Sequence, residues 1–246
     1  MKKFELTSET KINIFGKKLF RIKALISFAD VEAGETGGWV EKEGNVNQSG
    51  DAWVSGNAEV YGNAKVYGNA KVSGDAWVSG NAWVSGNAKV YGNAWVSDNA
   101  EVSGNAEVSV NAKVYGDAWV SGNAEVYGDA WVSDNANVYG NAKVYGNAEV
   151  YGNAKVYGNA KVYGNAEVYG NAEVYGNADY TTIHGFGTQF RTTTFFRCKD
   201  KKVRVACGCF FGTIPEFREQ VKNTRKGKIA EEYLMIADLM EKHFEK

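Results

Sequence analysis

"GNAKVYGNAEVYGNAKVYGNAKVYGNAEVYGNAEVYG", residues 140–176, writes one hexad six times with only Lys and Glu trading places. Working outward, the form [ND]-A-x-V-[SY]-G runs from Asp51 to Gly176 as 21 consecutive hexads without insertion or deletion. Such regularity specifies a solenoid, in which each repeat buries its apolar face only against the next. Within a hexad Ala and Val are two apart, as are x and the Ser/Tyr position. A short strand therefore sends one pair inward and the other outward. Gly-Asn or Gly-Asp then turns the corner, because both residue types tolerate positive φ. Three strands and three corners predict a triangular coil of 18 residues.

Every third hexad then shares a face, and the x positions unroll into three columns. The first reads Trp53, Lys71, Lys89, Glu107, Glu125, Lys143, Lys161; the second Glu59, Trp77, Trp95, Lys113, Trp131, Glu149, Glu167; the third Lys65, Trp83, Glu101, Trp119, Asn137, Lys155, Glu173. Trp77, Trp83, Trp95, Trp119 and Trp131 thus fall on two faces, and they are predicted to form an oligomer or partner interface, because monomers rarely expose large apolar patches. The competing reading is that aromatic ladders merely add burial outside a thin Val/Ala core, at about 0.5–1.5 kcal/mol per pair. Each Trp at x is followed two residues later by Ser, never Tyr, as in Trp77/Ser79 and Trp119/Ser121. The bulky indole is expected to need that small neighbour on its own strand. Tyr139/Tyr157/Tyr175, Tyr145/Tyr163 and Tyr151/Tyr169 should stack, and the corner Asn/Asp columns should hydrogen-bond along the axis as amide ladders do. Asp98, Val110 and Asp134 replace the corner glycine. Asp tolerates positive φ and Val does not, so the corner at 110 is expected either to be built differently or not to require it.

The spacing Val54, Ala58, Val60, Ala64, Val66 resembles the hexapeptide-repeat left-handed β-helix superfamily, over about half of the chain. One departure is that Ser or Tyr follows the aliphatic residue where glycine is common in the acyltransferase members. The form G-N-A-x-V-x, preceded by Ala33-Gly34-Glu35-Thr36-Gly37-Gly38-Trp39-Val40, is similar to a group of bacterial and phage-encoded repeat proteins. The resemblance implies a mainly β protein, a left-handed parallel β-helix, and a parallel homotrimer. An acyltransferase of that superfamily would use a His base. Only His184 and His243 exist, both outside the hexads, and no loop interrupts the coils. The chain is therefore expected not to be an enzyme.

Open hexads would recruit other chains at their edges, so both ends should be caps. Residues 1–50 read as an N-terminal β capping segment, with a hairpin of Lys11–Phe15 and Leu19–Leu25 around Gly16-Lys17-Lys18; residues 51–179 form the solenoid. Val40 to Val54 is two residues longer than two hexads, so the first coil should be irregular. Residues 180–246 read as a C-terminal α+β domain, either independent or packed on the last coil. It has a hairpin of 191–198 and 203–209 with Asp200-Lys201 at its tip, then helices over 215–224 and 228–244 begun by a Thr213 cap. Paired this way, Cys198 opposes Val203 and lies roughly 13 Å from Cys207. All three cysteines then share the Val203/Val205 face as buried thiols, and neither metal nor cofactor is expected; a different register would reopen a zinc reading of Cys198, Cys207 and Cys209. The opposite face collects Arg191, Phe195, Arg197, Lys202 and Arg204, which reads either as a solvated face or as a site for an anionic nucleotide.

Composition narrows the function classes. With 44% apolar and 13% aromatic residues among 246, the chain should fold. No apolar segment follows Lys2-Lys3 and no stretch is long enough to span a bilayer, so a cytoplasmic protein without a membrane partner is expected. Three cysteines argue against a disulfide framework. The net charge of −1 divides as +4 over residues 1–30, −10 over 31–179 and +5 over 180–246. An acidic middle is not expected to hold duplex nucleic acid. The expectation is a non-catalytic homo-oligomeric scaffold or binding protein, phage-encoded if the resemblance holds; alternatives are a sequestering protein for an anionic nucleotide or immune signal, and an acyltransferase.

Overall fold

The structure, a computed structural model, describes residues 2–245. Strands β1 (Phe4–Ile12), β2 (Lys18–Ala24) and β3 (Thr36–Val40) precede 21 two-residue strands, β4 (Trp53–Val54) to β24 (Glu173–Val174), one per hexad. Each hexad strand pairs in parallel with the strand three further on, which gives three ladders running along the rod. Trp53 opposes Lys71, Glu59 opposes Trp77 and Lys65 opposes Trp83, so the columns unrolled from the sequence are the three faces. The chain is a β-solenoid of about eight turns, and its Ala and Val side chains form one continuous buried core. Each buried valine contributes roughly 1.5–3 kcal/mol, a thin layer repeated many times.

All corners but the last are built alike. Corner glycines up to Gly170 hold φ between 65° and 76°, and Asp98, Val110 and Asp134 adopt 58°, 63° and 55°, whereas Gly176 is extended at −147° where the chain leaves the solenoid. Neither alternative for the valine corner holds: it is built like the others and takes the positive φ. Glycine suits this place for a second reason, since a Cβ on Gly86 would lie 2.8 Å from the Gly104 carbonyl oxygen of the next coil. The two aspartates compensate: Asp98 and Asp134 accept from the backbone N–H of Gly116 and Gly152 at 3.2 and 3.1 Å. Valine has no group with which to do so.

The amide ladder runs in one direction. Asn87 Nδ2 donates to Asn105 Oδ1 and Asn105 Nδ2 to Asn123 Oδ1, each at 2.9 Å. Asp75, Asp117 and Asp129 accept from Asn57, Asn99 and Asn111. A carboxylate has no N–H to pass on, so each Asp ends a run. Tyrosines stack along their columns, with ring separations of 4.9 Å for Tyr127/Tyr145, 5.0 Å for Tyr139/Tyr157 and 4.7 Å for Tyr151/Tyr169, except that Tyr175 meets Tyr157 edge to face at 5.3 Å.

The N-terminal strands extend the second ladder below its first hexad. Val40 opposes Val60 and Val46 bridges Val66, so hexad spacing is kept there. The two additional residues lie between Val46 and Val54, where Gln48 accepts from Lys3 N and Phe4 N and donates to the Phe4 carbonyl. The irregular coil is thus the socket that holds the start of β1. Lys3 Nζ donates to the Gly50 and Ala52 carbonyls at 3.1 and 2.7 Å, and burial pushes its ammonium down to about 8. The first hairpin strand begins at Phe4 instead of Lys11. Its register slips between Leu6 and Thr10, an irregularity of the kind that blunts a free edge.

The C-terminal region closes the other end. Strands β25 (Tyr180–Phe186), β26 (Arg191–Arg197), β27 (Val203–Cys207) and β28 (Phe210–Thr213) form an antiparallel sheet, followed by α1 (Ile214–Thr224) and α2 (Gly227–Phe244). Phe196, Cys198 and Ala206 continue the solenoid core, whereas Phe195 and Val205 pack on the helices. Cys198 bridges Ala172, and Thr194 Oγ1 accepts from Glu167 N at 3.1 Å. Of the two arrangements open to this region, it takes the one packed on the last coil. Thr213 caps α1, with Glu216 reaching back to the Thr213 N–H.

One feature of the hairpin departs from expectation. Arg197, not Cys198, opposes Val203. A slip of one residue exchanges the faces of a strand. Cys198 therefore enters the solenoid core while Cys207 sits on the helix side, so the cysteines do not share a face.

Candidate functional site

The second and third faces carry the indoles, and the structure treats them unequally. On the second, Trp77 and Trp95 meet edge to face at 5.7 Å. Phe15, from the turn between β1 and β2, covers both at 5.6 and 6.1 Å. Asn13 fixes that turn: its Oδ1 accepts from Phe15 N and Lys17 N, and its Nδ2 donates to Glu59 Oε2. Two of the predicted interface residues, Trp77 and Trp95, are thus half-buried beneath the chain's own hairpin. The sequence hinted at this only through Phe15 in a turn that polar residues would otherwise fill.

Trp83, Trp119 and Trp131 remain 42%, 48% and 39% exposed. Trp53 is the contrast at 4%, sealed between Phe4 and Phe28. The exposed indoles lean on the outward residue of the preceding coil: Trp83 on Tyr67 at 6.1 Å, Trp131 on Tyr115 at 6.5 Å, and Trp119 Nε1 donating to Ser103 Oγ at 3.2 Å. Ser79, the partner of Trp77 in the Trp/Ser pattern, is buried. Cations add to the faces, with Lys113 Nζ 4.7 Å above the Trp131 ring and Lys65 Nζ 5.9 Å from Trp83.

Three grooves lie along these faces, one of them about 390 Å³ between Lys11, Glu59, Trp77 and Trp95. Another of about 690 Å³ opens on the third face between Trp83, Tyr67, Lys65 and the segment at Glu43 to Gln48. A smaller one of about 350 Å³ lies between Trp95 and Trp131 over Lys113 and Tyr115. The first face is ionic, with Lys89 on Glu107 at 3.0 Å and Lys143 on Glu125 at 2.7 Å. Glu107 holds its carboxyl below the usual range because Lys89 donates to it.

The predicted basic face does not assemble. Phe195 and Arg197 lie on the helix side, where Phe195 is fully buried and Arg197 sits 5.6 Å from the Phe244 ring, 3.5 Å from Asp179 and donating to the Phe244 carbonyl. Arg204 opposes Phe196 on the other face and pairs with Asp200 at 2.7 Å. Lys202 is exposed beside the hairpin tip. The cause is again the one-residue register shift. Arg197 and Lys202 line a cavity of about 410 Å³ that Glu241 and Glu245 also enter, and Arg191 lines a separate one, described below. Burial pushes the Cys198 thiol up to about 11, so it is an inert core residue, and Cys209 is exposed. His184 on β25 and His243 on α2 are both exposed and stand off the ladders.

No helix among the described residues is long and apolar enough to cross a membrane. Residues 64–80 match the YdcK β-solenoid repeat, and over that stretch the chain is similar to that family. No curated protein matches the chain.

Proposed function

We propose that this chain, a β-solenoid repeat protein, is a non-catalytic scaffold or binding protein that works as a homo-oligomer, a parallel trimer in which the second face of one rod meets the third face of the next. The observation that carries the reading is the contrast between Trp53 at 4% exposure and Trp83, Trp119 and Trp131 at 39–48%. The chain seals an indole where its own cap can reach, and leaves three open on two adjoining faces.

Two different faces make a heterologous contact, which closes into a ring when rods are parallel. Coil by coil, that contact sets the exposed Phe15 above Trp77 against Trp83, Lys113 against Trp119, Trp131 against Asn137, and Glu149 against Lys155. Aromatic, cation–π and ionic partners therefore alternate without like charges until Glu167 and Glu173. Both rod ends are closed by their own cap, which favours side-by-side over end-to-end growth. Uninterrupted coils and histidines away from the ladders support a binding role over acyl transfer.

The test is Trp83→Ser combined with Trp119→Ser, read by light scattering behind size-exclusion chromatography. The pair should convert a trimer to a monomer while far-UV circular dichroism stays unchanged. A trimer that survives the pair refutes this interface.

A further inference from the structure

The chain holds six arginines. Arg197, Arg204 and Arg218 have carboxylate partners and Arg21 stacks over Trp39. Arg191 and Arg225, among the described residues, pair with no carboxylate, and both line one cavity of about 420 Å³ in the C-terminal region. Arg191 comes from the start of β26 and Arg225 from the C-cap of α1, where its N–H closes on the Val221 carbonyl at 2.8 Å.

The cavity is shaped around these guanidiniums. Gly208 turns the chain at φ 58°, and a Cβ there would fall on the Arg191 guanidinium. Glycine thus supplies both the backbone angle and the seat for Arg191. Gln220 brings an amide to the same space, Thr224 lines it with its hydroxyl donating back to the Gln220 carbonyl at 2.7 Å, and Phe210 and Tyr233 supply its aromatic wall. No acidic side chain lines it among the described residues. The Tyr233 phenol is raised chiefly by burial, and both guanidiniums draw it back toward its usual value.

We infer that this cavity binds a small phosphomonoester carrying a planar ring, of the nucleoside monophosphate class. Two guanidiniums match the two charges of a phosphomonoester near neutral pH. Their forks and the Gln220 amide offer more donors than a carboxylate has oxygens, and they fit three terminal phosphate oxygens. A volume of this size suits a molecule with one ring beyond its phosphate. This site is independent of the trimer contact, since it lies on the capping region and uses none of the indoles.

The experiment is isothermal titration calorimetry of the full chain with adenosine, guanosine, cytidine and uridine 5′-monophosphates, the four parent nucleosides and inorganic phosphate. At least one monophosphate should bind, and more tightly than both its nucleoside and free phosphate. Arg191→Gln with Arg225→Gln should weaken it by about 10- to 100-fold, the loss expected for charge-assisted hydrogen bonds. Gln220→Ala should weaken it less, and Arg197→Gln, a charge removed outside the cavity, should leave it unchanged. Binding by none of the four monophosphates overturns the inference. Equal affinity for nucleoside or bare phosphate does so too, as does a loss with Arg197→Gln that matches the double variant.

Discussion

Val110 is the one corner where the chain holds a β-branched residue in the left-handed region, at φ 63°, with no hydrogen bond in return. The left-handed conformation costs an L-residue roughly 1–2 kcal/mol. Asp98 and Asp134 recover part of that through the N–H groups of Gly116 and Gly152. Val110 is 49% exposed, so its side chain returns little burial. Val110→Gly removes the strain and adds about 0.5–1 kcal/mol of unfolded-state entropy cost. The net expectation is a gain of about 0.5–1 kcal/mol, or roughly 1–4 °C in Tm for a chain of this size. The reverse change one coil earlier, Gly92→Val, takes on the same strain and also sets a Cβ 3.0 Å from the Val110 backbone nitrogen. It should cost at least about 2 kcal/mol. Differential scanning calorimetry on the two variants reads both signs. If Val110→Gly lowers the Tm while Gly92→Val is neutral, the left-handed corner is not the source of strain and the reasoning fails.

Alkaline pH should attack the tyrosine columns. Burial raises Tyr151 and Tyr180, and pushes Tyr169 up to about 12. An acid raised on folding contributes its full stability below its unfolded value near 10 and loses it as pH climbs through the folded value. Tyrosinate absorbance and loss of far-UV signal should therefore rise together above pH 10; stepwise ionisation with the fold intact would count against buried stacks. In the amide ladder, Asn105→Asp keeps the acceptor for Asn87 and removes the donor to Asn123. A cost of about 0.5–1 kcal/mol is expected by denaturant titration, and Asn105→Ala should cost more because both bonds go.

The solenoid and its three faces are legible in the sequence because one period governs backbone, core and surface together. A two-residue strand leaves no freedom of register when Val must sit on Val. The caps are less legible. The bulge between Leu6 and Thr10 and the fold of Phe15 onto Trp77 are contacts between distant segments with no period to announce them. In the C-terminal hairpin, placing Val203 opposite Cys198 instead of Arg197 was enough to exchange its faces. The anion site drawn from that register dissolves, and Arg191 finds its companion in Arg225, distant in sequence and carried on a helix end. Val110 was misread because β-branching is a strong local penalty, and here the coils above and below impose the corner regardless.

The central claim is that the exposed indoles belong to an interface between copies of this chain. Sedimentation equilibrium of the unmodified protein across micromolar concentrations tests it most directly. The claim expects a single species of about 81 kDa, three chains of 26.9 kDa each. A mass of one chain at every concentration would contradict it.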